Sequence, residues 1–73
     1  MVRLTTVDVV RAQAKSMLDS IESGVPELVA KNMAMDNVVS MHDQKMISTD
    51  QYYRCIDKLG DIYRAISSER IYQ

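Results

Sequence analysis

The sequence predicts an all-α fold: a compact three-helix unit over about residues 6–23, 26–45 and 49–67, assembled as a homodimer. Three observations carry this reading. Only two glycines and one proline interrupt 73 residues, so chain breaks are few. Apolar residues recur at three- and four-residue steps over long stretches, the period of a helix face. Helix-start signals stand directly before two of those stretches, at Thr5 and Ser48.

Residues 1–4 read as a short arm with Arg3 as its only charge. Thr5 or Thr6 can cap the first helix; with Thr5 at the cap, Asp8 falls at the N3 position of a near capping box. Val7, Val10, Ala14, Met17, Leu18 and Ile21 then form an apolar stripe, while Asp8, Arg11, Lys15, Asp19 and Glu22 take the solvent side. Arg11 and Lys15 are like charges at i,i+4, an unfavourable spacing. Gly24 suits the left-handed residue after the helix, and Pro26 stands just beyond.

Pro26 fits the first position of the second helix, where its missing amide is not needed. Leu28, Met35, Val38, Val39, His42 and Met46 share one broad face. Val29, Met33, Met41 and Ile47 point elsewhere, so apolar surface wraps too far around for a simple surface helix. Three accounts fit: neighbours on two sides, a break near Asn32 or Asp36-Asn37, or a second subunit covering the extra face. The reading taken is a continuous helix to about Lys45.

The third helix has the clearest signals. Ser48 and Gln51 have capping-box spacing, Ile47 and Tyr52 have hydrophobic-staple spacing, and Asp50 opposes the helix dipole. Tyr52, Cys55, Ile56, Leu59, Ile62, Tyr63 and Ile66 form one stripe; Arg54, Asp57, Lys58, Asp61 and Arg64 lie opposite. Gly60 either admits a close neighbour or marks a bend. Ser67-Ser68 weakens the end of the helix, and Ile71 and Tyr72 either dock or fray.

The length gives one domain, residues 1–73. A chain this small buries only a little over roughly 60% of its unfolded surface, so pairing with a second subunit is an expected remedy. With no Phe, no Trp and six Met, the core must be built from Met, Leu, Ile, Val and Tyr. Methionine also adapts to partner surfaces. A net charge of −1 excludes bulk attraction to nucleic acid. The lone Cys55 cannot form an internal disulfide and fits a buried small hydrophobe. The N-terminus lacks a signal-peptide core and no run approaches a membrane span, so a cytoplasmic location is expected.

No catalytic constellation stands out. His42 and Asp43 diverge on a helix, and neither has an acid four positions away. One His and one Cys thirteen residues apart do not make a metal site. Gly24 and Gly60 stand alone, so there is no phosphate loop. The expectation is no enzyme activity, no cofactor, no metal and no small-molecule substrate. Met33, Met41, Tyr53 and Ile71 are the expected protein-interface residues, being apolar or amphipathic and off the inner stripes. The function expected is a small protein-binding regulator, adaptor or chaperone-like factor acting through packed helix faces. The alternative is a helix-turn-helix-like transcription factor or nucleic-acid accessory protein. There the third helix would present Thr49, Asp50, Gln51 and Tyr53, with Arg54 and Lys58 as the contacts that favour nucleic acid.

Overall fold

Two of the three helix starts are set by side chains that satisfy free backbone amides. The computed structural model describes residues 4–71, Arg70 and Ile71 by backbone only. It contains α1 (Thr6–Glu22), α2 (Glu27–Asp43) and α3 (Thr49–Ile71). Thr5 Oγ1 accepts from the Asp8 amide at 3.1 Å, capping α1. At α3 the capping box is complete. The Ser48 amide donates to Gln51 Oε1 at 2.9 Å, and the Gln51 amide donates to Ser48 Oγ at 3.2 Å. Gln51 Nε2 also donates to the Leu4 carbonyl at 2.8 Å. That bond ties the last residue of the expected arm to α3, and Leu4 packs against the core.

Pro26 is the N-cap of α2, one residue earlier than the sequence places it, and Glu27 opens the helix. Two helix ends use the same device. After α1, the Gly24 amide donates to the Ile21 carbonyl and the Val25 amide to the Ser20 carbonyl, with Gly24 at φ 106°. After α2, the Lys45 amide donates to the His42 carbonyl and the Met46 amide to the Met41 carbonyl, with Lys45 at φ 62°. Both are Schellman motifs. The second stops α2 at Asp43, short of the expected Lys45. Its left-handed residue is a lysine, so no glycine marks it in the sequence.

The helices run up, down and up. Gln13 meets Asn37 across α1 and α2. Across α2 and α3, Ser67 meets Glu27, Lys31 lies over Tyr63, and His42 meets Thr49. Across α2 and α3 the early residues of one helix meet the late residues of the other, the signature of antiparallel neighbours. Every pair of helices is in contact. Each helix therefore lies opposite the groove between the other two.

The core joins Val9, Met17 and Ile21 of α1, Ala30, Ala34 and Val38 of α2, Ile47, and Cys55 and Leu59 of α3. The α3 stripe is as expected: Tyr52, Ile56, Ile62, Tyr63 and Ile66 pack half-buried around it. The α1 stripe is turned. Val9, Gln13, Met17 and Ile21 face inward, while Val7 and Leu18 are exposed. Gln13 is tolerated inside because its Oε1 accepts from Asn37 Nδ2 at 3.0 Å. The α2 stripe is corrected more deeply. Ala30, Ala34 and Val38 form the buried face, and Leu28 and Val39 are exposed. The helix is continuous through Asn32 and Asp36-Asn37.

α3 runs to Ile71, past the expected end near 67. Ser67 Oγ donates to Glu27 Oε2 at 2.8 Å, so it bridges helices instead of competing for local backbone. A Cβ at Gly60 would meet nothing within 4 Å, so no neighbour approaches closely there. Tyr72 lies outside the described residues.

Candidate functional site

Surface function starts from what the core leaves out. α2 fully buries only Ala30, Ala34 and Val38, half-buries Met35 and Met41, and leaves Leu28, Val29, Met33 and Val39 exposed. Ala30 and Val38 are 1% and 0% exposed, while Leu28 and Met33 are 53% and 51% exposed. Alanine at the contact lets helix axes come close, toward the lower end of the roughly 8–10 Å range. Leucine and methionine on the far side gain little from the fold. Scattered single apolar residues are ordinary on a surface; stripes of them are informative.

Two grooves elsewhere on the surface gather other apolar side chains. Between α1 and α3, Val7, Val10, Ala14 and Ile62 line a depression bordered by Thr6, Arg11 and Lys58. Its floor is almost wholly apolar and its charged rim is basic on both walls. Neither Arg11 nor Lys58 forms an ion pair among the described residues. Between α2 and α3, Met35, Ile56, Tyr63 and Gly60 form a shallow notch rimmed by Lys31, Asp57 and Arg64. The Lys31 Nζ stands 4.9 Å from the Tyr63 ring centroid, a cation–π arrangement. Arg64 donates to Asp61 across one helical turn.

The polar cluster at the α2–α3 link is structural. His42 Nε2 lies 3.1 Å from Thr49 Oγ1, and the His42 ring stacks on Tyr52 at 4.8 Å between centroids. These contacts pin the end of α2 to the start of α3. Among the described residues, no group of three or more His, Cys, Asp or Glu could hold a metal ion. Cys55 is buried, and burial pushes its thiol pKa up. The thiol stays protonated and is a poor nucleophile.

The expected interface residues are dispersed. Tyr53 is 65% exposed on α3, its ring tilted against Tyr52 at 5.3 Å. Met33 is exposed on the outer face of α2. Met41, expected off the inner stripe, packs against the core and is only half-exposed. Ile71 ends α3, and its side chain lies outside the described residues. Arg54 and Lys58 are both exposed, one turn apart on α3. Sequence reasoning missed Val7 and Leu18 as surface residues, because Gln13 hides the true phase of α1. The α1–α3 groove had no sequence signal beyond the Arg11–Lys15 repulsion.

α2 and α3 touch at both ends, through His42–Thr49 and Glu27–Ser67. They are an antiparallel αα-hairpin, whereas a helix-turn-helix crosses at roughly 90–120°. No helix among the described residues is long and apolar enough to cross a membrane. In comparisons with known proteins, the chain matches no family model, no curated protein and no solved structure.

Proposed function

We propose that this chain is a small protein-binding module, a regulator, adaptor or chaperone-like factor that acts by docking helix faces and carries no catalytic chemistry. The observation that carries the reading is the inverted packing of α2, with Ala30, Ala34 and Val38 inside and Leu28, Val29, Met33 and Val39 outside. A helix shaped only for stability would bury the larger residues, because each would contribute roughly 1.5–3 kcal/mol when covered. Left outside, that apolar surface stabilises a complex instead. Methionine at Met33 and Tyr53 on the neighbouring helix are residue types that suit adaptable contact.

The test is site-specific photo-crosslinking in the native host. A photoreactive residue replaces Met33 in one variant and the exposed Ser68 in another. The expected result is a discrete protein adduct from position 33 and none from position 68. Adducts from both positions alike, or from neither, would overturn the reading.

A further inference from the structure

The outer face of α2 and the α1–α3 groove lie on opposite sides of the bundle, and they are complementary. Val29, Met33, Asp36, Ser40 and Asp43 follow steps of 4, 3, 4 and 3, one helical stripe, and all are exposed. That stripe is apolar at its start and acidic at its end, with no cation on it. The groove is apolar along Val10, Ala14 and Ile62, and basic at Arg11 and Lys58. Lys15 and Arg54 stand exposed one turn behind those two cations. Arg11 with Lys15 and Arg54 with Lys58 are like-charge pairs at i,i+4, mildly unfavourable in the free helices. Asp61 takes Arg64; Asp8, Asp19, Asp50 and Asp57 stand within about one turn of these cations, but none forms an ion pair with them among the described residues.

The two surfaces also match in level. The Gln13–Asn37 and Lys31–Tyr63 contacts fix which residues stand side by side along the bundle. Asp36 is level with Ala14 and Lys58, and Met33 with Leu18 and Ile62, to within about one turn. Two copies set side by side, with their axes aligned, bring Met33 of one toward Leu18 and Ile62 of the other. The same placement brings Asp36 toward Lys58 and Lys15, and Asp43 toward Arg11. The net charge of −1 opposes such stacking only weakly.

We propose that the occupant of the α1–α3 groove is the outer face of α2 from a second copy of this chain, so that the protein assembles head to tail. The proposal rests on the protein-binding reading above and specifies its partner. Because the two surfaces are different and lie on opposite sides, the contact is heterologous and does not close at two chains; it extends into a row or ring. A closed two-fold dimer would use one surface twice and stop at two.

The experiment reverses charge on one surface at a time. A groove variant carries Arg11→Glu and Lys58→Glu; a face variant carries Asp36→Lys and Asp43→Lys. All four positions are exposed, and helical circular dichroism confirms that each variant folds. Light scattering on the untagged wild type should show an average mass that climbs with concentration past two chains. Each variant alone sets like charges against each other and should associate at least about a hundredfold more weakly. An equal mixture restores opposite charges at every contact, in alternation, and should assemble again. A wild type that stays monomeric or stops at two chains overturns the proposal. So do variants that assemble like the wild type, or a mixture that stays monomeric. If the wild type is monomeric while the crosslinker at position 33 still traps another protein, self-assembly fails and the binding reading stands.

Discussion

α2 and α3 solve the same packing problem in opposite ways. α3 hides Leu59 and Cys55, half-buries Ile56, Ile62, Tyr63 and Ile66, and turns its charges outward. α2 hides two alanines and a valine and turns leucine, valine and methionine outward. The fully buried part of α2 is therefore small side chains, with Met35 and Met41 packed half-buried beside them. The large side chains of α3 mostly pack on the core, whereas Leu28, Val29, Met33 and Val39 of α2 do not. Residue hydrophobicity alone does not separate the two sets.

The largest expected effect comes from removing a large core residue of α3. Leu59→Ala, at a position 0% exposed, should cost about 2–5 kcal/mol. In a domain this small that is a large share of total stability, and urea denaturation should find the chain partly unfolded in buffer. On α2 the damaging change is the reverse one. Ala34→Leu adds volume where the helices meet and should cost about 1–3 kcal/mol by the same measurement. At the end of α2, Lys45→Gly relieves a left-handed conformation and should stabilise by about 1 kcal/mol. In the middle of α3, Gly60→Ala meets open space and should stabilise by about 0.5–1 kcal/mol, read as a higher melting temperature. The smallest effect is on the outer face of α2. Met33→Ser should change monomer stability by no more than about 0.5 kcal/mol, measured at a concentration low enough to exclude association.

The parts of the fold legible in the sequence are those with side-chain or glycine signatures. Thr5–Asp8 and Ser48–Gln51 announce helix starts because a short oxygen acceptor must sit three residues before its amide. Gly24 announces a helix end because left-handed backbone favours glycine. Lys45 does the same structural work with no such mark, so the α2 end is misplaced by two residues. The burial of α2 was illegible for a different reason. Ala30 and Ala34 are chosen for size, and a hydrophobicity pattern weights Leu28, Val29, Met33 and Val39 above them. In α1, the inward Gln13 breaks the stripe and shifts its apparent phase; only its long-range bond to Asn37 explains why it is there. The basic rim of the groove pairs Arg11 with Lys58, 47 positions apart, and only the parallel placement of α1 and α3 brings them together.

The six methionines allow the central claim to be tested without altering the protein. Methyl-labelled methionine gives one NMR signal for each, including Met17 in the core and Met33 on the outer face. The spectrum is recorded as the concentration of the chain, or of a captured partner, is raised. The account predicts that the Met33 methyl shifts or broadens while the Met17 methyl stays fixed. A Met33 signal that never moves, with Met17 responding instead, would place the binding surface elsewhere and leave the inverted packing of α2 without the role assigned to it.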